Sequence, residues 1–262
     1  MKIAANLSLL FQALPLQAQL LAACRAGFSG VEIQFPYAVP AIRLKELLEM
    51  ACLPLVLINL PAGDLLQGGA GLAAVPERQP AFAAALQEAL TYAAMARPLA
   101  VNVLPGRQMP GVSREVALAT LAGNLRQAAE AFALLGIRVL CEAINPLDMP
   151  GFLVNTPAQL QQVLQQVAHA NCQAQLDLYH MARQGLVLPD CIRQLQGQIG
   201  HVQFADCPGR GAPGTGQLDF AGALAALRQT GYQGWLGAEY LPGPAGTEAS
   251  LGWLARWQRG QV

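Results

Sequence analysis

Short β-rich runs and longer stretches of helical period alternate along the whole chain. Eight β-rich runs can be distinguished, at 2–7, 30–35, 54–60, 99–104, 138–144, 172–178, 200–206 and 235–240. Helical patterns follow them, at 15–26, 41–51, 78–95, 114–135, 157–168, 188–197, 219–229 and 245–257. Strict strand–helix alternation predicts a parallel sheet, because each helix returns the chain to the edge where the next strand begins.

The number of repeats decides between the two main parallel-sheet architectures. Eight repeats in 262 residues match a closed (β/α)8 TIM barrel better than an open, doubly wound sheet. No linker or low-complexity segment divides the chain, so the sequence predicts one α/β domain over residues 1–262. Active sites of such barrels lie at the C-terminal ends of the strands, where the longest loops of this chain also occur.

Composition and charge exclude several classes of function. With 53% hydrophobic residues the chain can bury a large core, and its formal net charge is zero. No basic stripe is present, which argues against a nucleic-acid partner. No apolar segment reaches the roughly 18 to 20 residues that cross a bilayer, and the N-terminus lacks the pattern of a signal peptide. We therefore expect a soluble, cytoplasmic protein without a membrane partner.

The cysteines and lysines limit the chemistry further. Six cysteines occur without any C-x-x-C pair, which favours free thiols over a disulfide framework or a zinc site. Lysine occurs only at Lys2 and Lys45. Since no lysine follows Lys45, Schiff-base chemistry of the class I aldolase type is not expected at a barrel centre.

Polar residues occupy inward-facing positions near the ends of the last four strands. Buried parallel strands are normally apolar, so a polar side chain that alternates into the barrel needs an explanation. Four residues have this phase, one in each strand: Glu142, Asp177, Gln203 and Glu239. They are either ordinary solvated strand ends or parts of one site at the barrel mouth.

Charge favours the second interpretation. Three carboxylates at one barrel mouth would repel one another unless a cation lay between them. Carboxylate and amide oxygens are ligands for a hard divalent ion, so Mg²⁺ or Mn²⁺ is expected rather than Zn²⁺. Two glutamates on different strands, Glu142 and Glu239, could also flank a small substrate and exchange protons with it.

Two of the three histidines lie away from this candidate site. His180 follows Asp177 by three residues, and it is either a loop residue or a hydrogen-bond partner of the substrate. His201 begins its strand at the barrel floor, and His169 lies at a helix end. We assign neither of these two to catalysis.

The loop after the seventh strand gathers glycines, prolines and an arginine in "DCPGRGAPGTG". The segment "GRGAPG" formally matches the dinucleotide motif G-x-G-x-x-G, but Pro208 and Pro213 favour an ordered loop over a helix start at a pyrophosphate. The loop would deliver Arg210, whose planar guanidinium suits a substrate carboxylate. The alternative is a solvated surface arginine.

Several segments together resemble the hydroxypyruvate isomerase family, within the xylose isomerase-like TIM barrel superfamily. The segments are "NLSLLF", "GVEIQFPY", "NLPAGD", "CEAINPLDMPGF", "QLDLYHM", "GHVQFADCPGRGAPGTGQLDF" and "GWLGAEY", and they are distributed over nearly the whole chain. The resemblance implies a divalent metal held by Glu142, Asp177, Gln203 and Glu239. It also implies that Glu142 and Glu239 are the acid/base pair.

Two positions depart from patterns of related families. Sugar epimerases and xylose isomerases usually have histidine as the third metal ligand, whereas this chain has Gln203, which favours the hydroxypyruvate isomerase branch. Within that branch proline often follows the first glutamate, and here Ala143 follows it. Neither proline nor alanine at position 143 can ligate a metal.

The resemblance implies interconversion of hydroxypyruvate and 2-hydroxy-3-oxopropanoate through an enediolate, with His180 and Arg210 contacting the substrate. An isomerase of a longer 2-oxo acid, such as 2-oxotetronate, is the nearest alternative. A metal-dependent phosphodiesterase and a non-catalytic sugar-acid binding protein are further alternatives. A homo-oligomer is expected by analogy with other barrels of this type.

Overall fold

The computed structural model describes residues 2–260, and it confirms the closed barrel of eight parallel strands. The strands follow one another around the barrel in chain order, and the last pairs with the first through Ile3 and Leu236. Residues 1, 261 and 262, the ends of the expected domain, lie outside the described residues. The strands are β1 Lys2–Asn6, β2 Gly30–Glu32, β3 Leu55–Asn59, β4 Ala100–Val103, β5 Arg138–Glu142, β6 Cys172–Asp177, β7 Ile199–Phe204 and β8 Trp235–Ala238.

The helices surround the barrel and begin close to the predicted positions. They are α1 Leu16–Ala26, α2 Ala41–Ala51, α3 Gln79–Ala96, α4 Arg114–Ala133, α5 Pro157–Val167, α6 Leu178–Arg183, α7 Leu188–Gln194, α8 Phe220–Gln229, α9 Gly246–Ala249 and α10 Leu254–Gln258. The side chains of Ser113, Thr156 and Asp219 accept hydrogen bonds from backbone N–H groups in the first turns of α4, α5 and α8. Such N-caps satisfy donors that the helix itself leaves free.

Two helices differ from the sequence prediction. Helix α6 was not predicted; it begins directly after β6 because Asp177 ends the strand and also caps the helix, accepting from the Tyr179 amide. The single helix predicted over 245–257 was wrong, since α9 and α10 are separate. The Ser250 hydroxyl donates to the Thr247 carbonyl between them, and Gly252 follows, so local bonding and low helix propensity end α9.

The barrel holds both apolar and polar buried side chains. Leu57, Ala100 and Leu140, in β3, β4 and β5, form a small buried apolar cluster. Outside the barrel, Phe204 and Trp253 pack edge to face at 5.3 Å and anchor the last helix against β7. This packing fixes the C-terminal ends of the strands, where the polar residues lie.

The thiols agree with the sequence prediction. All six cysteines are free, and Cys141, Cys172 and Cys191 are buried. No helix within residues 2–260 is long and apolar enough to cross a membrane.

Candidate active site

The four predicted ligand residues converge at the C-terminal end of the barrel. Glu142 and Asp177 end β5 and β6, Gln203 is the penultimate residue of β7, and Glu239 follows β8. Their exposed fractions are 5%, 1%, 2% and 6%, respectively, so the interpretation of solvated strand ends is wrong. A cavity of about 300 Å³ opens above them, lined in part by Glu142, Gln203 and Glu239.

Glu142 forms one side of the cavity. Its Oε2 accepts a hydrogen bond of 3.0 Å from Asn102 Nδ2, on the neighbouring strand β4. Burial raises the pKa of Glu142 well above its usual value, and the negative charges of Asp177 and Glu239 raise it further. Removing charge from this group, by a proton or a cation, is therefore favourable.

Glu239, after β8, forms another side of the cavity. Its Oε1 lies 2.5 Å from Arg210 Nη2, and its Oε2 accepts from the amides of Asn6 and Gln203 at 2.8 and 2.6 Å. Burial raises the pKa of Glu239 to about 7, with Arg210 acting in the opposite direction. Both protonation states are then populated near neutral pH, as proton transfer requires.

Asp177 provides the clearest sign of a cation site. Its Oδ1 accepts from the Tyr179 amide at 2.9 Å, but its buried Oδ2 has no hydrogen-bond donor within residues 2–260. Ligand atoms of Glu142, Asp177 and His180 lie within 4.8 Å of one another. A buried oxygen without a donor, beside a second carboxylate, fits a hard divalent cation such as Mg²⁺ or Mn²⁺.

His180 lies within the site and presents a hydrogen-bond donor to it. The side-chain oxygen of Asn145, Oδ1, accepts from the backbone amides of Leu147 and Asp148. The other side-chain atom, Nδ2, therefore faces His180 Nδ1 at 2.7 Å. The facing His180 Nδ1 must then accept, which leaves the proton of the neutral ring on Nε2. Burial lowers the pKa of His180, so the neutral form is favoured.

The position of Nε2 fits this donor role. It lies 3.6 Å from Asp177 Oδ2 and 3.9 Å from Glu142 Oε1. A protonated Nε2 cannot coordinate a metal, so we interpret His180 as a donor to a ligand oxygen and not as a member of the metal-binding set.

Arg210 reaches the site from the loop after β7, as the sequence predicts. Its backbone adopts φ of 53°, and its guanidinium lies over the Tyr179 ring at 5.1 Å. The loop is organised by Asp206, whose carboxylate accepts from the backbone amides of Cys207, Gly214, Gly216 and Leu218. Helix α8 begins only at Phe220, so the G-x-G-x-x-G match lies in a loop and not at a helix start.

A buried polar layer that the sequence did not predict lies beneath the site. Glu32 in β2 is 1% exposed, and its Oε1 lies 2.6 Å from His201 Nε2. His201 is two residues before Gln203 and outside the ligand set, as expected, whereas His169 accepts from the Asn171 amide at the other end of β6. The signal for this layer was the charged Glu32 within an otherwise apolar strand pattern.

Comparison with known proteins places the chain in a family. The model of the xylose isomerase-like TIM barrel family matches residues 20–257. The chain belongs to this family. Hydroxypyruvate isomerase of Escherichia coli K12 is 37% identical over 254 residues, covering 97% of this chain and 98% of that protein. The 2-oxo-tetronate isomerase of Cupriavidus necator is also 37% identical over 254 residues, covering 97% of each protein. These relatives confirm the predicted resemblance and the interpretation as an isomerase-like enzyme.

Solved structures agree on the fold. A crystal structure from Brucella melitensis, described as an AP endonuclease of family 2, has a TM-score of 0.93 and 34% identity, and the match covers 98% of each chain. The 3-keto-D-glucoside 4-epimerase YcjR of Escherichia coli has a TM-score of 0.80 at 21% identity, over 99% of each chain, and shares the fold.

Proposed function

We propose that this protein is a sugar-acid isomerase that interconverts hydroxypyruvate and 2-hydroxy-3-oxopropanoate. The observation that carries the proposal is the pair Glu142 and Glu239, two buried carboxylates on different strands that line one small cavity. A reaction that moves a proton between neighbouring carbons needs one group to accept the proton and another to supply one. Burial raises the pKa of both carboxyls, which favours their accepting a proton.

The site is proposed to hold Mg²⁺ or Mn²⁺ through side-chain oxygens. The proposed ligands are Glu142, Asp177, Gln203 and Glu239. When bound, the ion would polarise the carbonyl and hydroxyl oxygens of the substrate. This would acidify the C–H bond of the hydroxyl-bearing carbon next to the carbonyl. The free Oδ2 of Asp177 and the mutual repulsion of the carboxylates support this assignment.

The protein's own residues would then move the protons. One glutamate removes a proton from C3 of hydroxypyruvate, and the electron pair of that C–H bond forms the double bond of an enediolate. The other glutamate returns a proton at C2, and loss of the O3 proton with gain of one at O2 completes the isomerisation. His180 Nε2–H donates to a substrate oxygen, and Arg210 binds the carboxylate through its planar guanidinium.

Three other activities are distinguishable by experiment. The 2-oxo-tetronate isomerase of Cupriavidus necator is as similar to this chain as the hydroxypyruvate isomerase of Escherichia coli, so a four-carbon acid is the principal alternative substrate. The Brucella structure makes a metal-dependent phosphodiesterase the second, although the zero net charge offers little attraction for DNA. A sugar-acid binding protein is the third. The homo-oligomer and the cytoplasmic location stay predictions.

The test is NMR in D₂O with hydroxypyruvate, 2-oxotetronate or a simple ketose, each with Mg²⁺, Mn²⁺ or EDTA. We expect isomer formation with incorporation of deuterium at carbon, dependent on metal, and fastest with hydroxypyruvate. Faster turnover of 2-oxotetronate would assign the four-carbon acid instead. A duplex containing an abasic site, incubated in parallel, tests the phosphodiesterase.

Variants separate catalysis from binding. Glu142→Gln and Glu239→Gln should abolish exchange, whereas Glu130→Gln, an exposed glutamate of α4, should leave it unchanged. A pure binding protein would instead show no exchange in the wild type and lose only affinity in the first two variants. Absence of exchange with all three compounds would contradict the isomerase proposal for these substrates.

A further inference from the structure

Directly beneath Gln203 lies a buried carboxylate for which the proposed reaction has no use. Glu32 has 1% of its surface exposed and pairs with His201, which is 2% exposed. A carboxylate inside a barrel is costly, because its burial removes hydration that apolar packing does not replace. The interior of a (β/α)8 barrel is normally filled with branched apolar side chains. The presence of this acid therefore calls for a role.

The hydrogen bonds of Glu32 lead directly to the proposed metal site. Gln203 Nε2 donates to Glu32 Oε2 at 2.8 Å and to Glu239 Oε2 at 2.6 Å. Asn6 Nδ2 bridges the same two oxygens, at 3.2 and 2.8 Å. Each amide thus donates one N–H group to Glu32 and one to Glu239, and so fixes the two carboxylates relative to each other.

These bonds also determine which way the Gln203 amide points. Its nitrogen faces the two carboxylates, and its Oε1 accepts from Gln175 Nε2 at 2.5 Å. A carbonyl oxygen has a second lone pair for a cation, whereas an NH₂ group turned toward the cation would repel it. If the amide rotated by 180°, its oxygen would face both carboxylates, so Glu32 opposes that rotation together with Glu239.

Strand β8, separated from β2 only by β1, leaves room for this acid. A Cβ atom at Gly237 in β8 would lie 2.0 Å from Glu32 Oε1. Gly237 does not adopt positive φ, so its backbone would accept alanine, and the space is what requires glycine. The chain therefore combines a buried glutamate in β2 with a glycine in β8 that leaves space for it.

We propose that Glu32, held by His201 and accommodated by Gly237, is a positioning residue that fixes the Gln203 amide with its carbonyl oxygen available to the metal. This inference rests on the proposed function, in which Gln203 is a metal ligand. Glu32 also lines the cavity, but in this proposal it acts through the Gln203 amide. Outer partners of metal ligands typically contribute 10- to 100-fold in metal affinity or activity.

The primary test measures Mn²⁺ binding by titration calorimetry, without substrate. We expect Glu32→Gln to weaken Mn²⁺ binding about 10- to 100-fold, because one amide oxygen cannot serve the three donors that Glu32 accepts. Gly237→Ala should weaken it similarly by displacing the carboxylate without changing its chemistry. Saturating Mn²⁺ should restore much of kcat in both variants, which a general loss of structure would not allow.

Gly200→Ala is the matched control. It also adds a methyl group inside the barrel, where the Cβ would meet Leu140 and Gln173 at 2.7 and 2.8 Å, but not Glu32. Its thermal stability should fall, and its Mn²⁺ affinity should stay that of the wild type. If Glu32→Gln and Gly237→Ala bound Mn²⁺ as tightly as the wild type, the inference would be overturned and the proposed function would stand. If the wild type bound no Mn²⁺, both would be overturned.

Discussion

Arg210 Nη2 lies 2.5 Å from Glu239 Oε1, so the residue proposed to bind the substrate carboxylate also neutralises one of the proposed acid/base groups. Arg210 lowers the pKa of Glu239 against the larger effect of burial, which raises it. In the proposed mechanism, substrate binding and proton transfer would thereby be coupled through a single guanidinium.

The coupling predicts two separable effects of substitution at Arg210. Arg210→Gln should raise KM for hydroxypyruvate about 10- to 100-fold, since a charge-assisted hydrogen bond contributes about 1.5–3 kcal/mol. It should also move the acidic limb of the kcat/KM profile to higher pH, because Glu239 without its cationic partner holds its proton to higher pH. Steady-state kinetics between pH 5 and 9 measure both effects.

Arg210→Lys is the matched control for charge. It should raise KM, because the ammonium lacks the planar fork, but leave the acidic limb close to that of the wild type. An unchanged KM in Arg210→Gln would contradict the assignment of the substrate carboxylate to this residue.

The Asp206 carboxylate is the central hydrogen-bond acceptor of the Arg210 loop, so its loss should destabilise that loop. Asp206→Asn replaces one carboxylate oxygen by a donor that faces backbone N–H groups, at an expected cost of about 2–4 kcal/mol in local stability. Hydrogen exchange of the amides at 207–218 should accelerate, and KM should rise with little change in kcat. Asp219→Asn, at the start of α8, is the control, because asparagine caps helices as well as aspartate. Exchange as slow as in the wild type would refute the organising role.

The fold and the convergence of the four proposed ligand residues were predictable from sequence, whereas the residues that support them were not. Glu142, Asp177, Gln203 and Glu239 lie at strand ends, where alternation by two residues fixes the direction of a side chain. Glu32 alternates with Val31 and Ile33 in the sequence, but its position beneath Gln203 could not be predicted, because β2 is only three residues long and its register with β3 shifts between Val31 and Glu32.

Loop partners escaped for a different reason. Asp206 accepts from amides as far as twelve residues away, and the Asn145 side chain meets His180 across 35 residues. Such contacts depend on how the loops fold back over the barrel, which local periodicity does not encode.

The contact between Asn145 and His180 predicts the tautomer of the ring. In metal-free protein at pH 8, ¹⁵N NMR should find His180 neutral and protonated at Nε2. Asn145→Asp should reverse the tautomer, because a carboxylate only accepts and would draw the proton to Nδ1. Loss of the Nε2 donor should lower kcat about 10-fold, the upper range for a neutral hydrogen bond.

Asn171→Asp is the control for Asn145→Asp, since it makes the same substitution away from His180. Asn171 donates to the carbonyls of Ala129 and Ile137, away from the cavity. Its substitution should lower stability but leave kcat and the His180 resonances unchanged. A wild-type ring protonated at Nδ1 would refute the donor role of His180.

The buried Glu142 carboxyl should make the stability of the metal-free protein depend on pH. Its pKa is raised above the ordinary value of 4.5, first by burial and then by Asp177 and Glu239. A carboxyl with a raised pKa in the folded state stabilises the fold fully below its unfolded pKa, and this contribution is lost as pH rises. The metal-free protein should therefore become less stable between pH 5 and pH 8, and Glu142→Gln should relieve this loss.

Urea denaturation in EDTA at pH 5 and pH 8 measures the effect. At pH 8 Glu142→Gln should be more stable than the wild type, because the substitution removes a buried charge that Asp177 and Glu239 repel. The difference should shrink at pH 5 and reverse when Mg²⁺ or Mn²⁺ is added, because the ion stabilises only a complete ligand set. Glu130→Gln, on the exposed surface of α4, should change stability equally at both pH values. A Glu142→Gln protein less stable than the wild type in EDTA at pH 8 would mean that the buried carboxylate stabilises the fold without any cation.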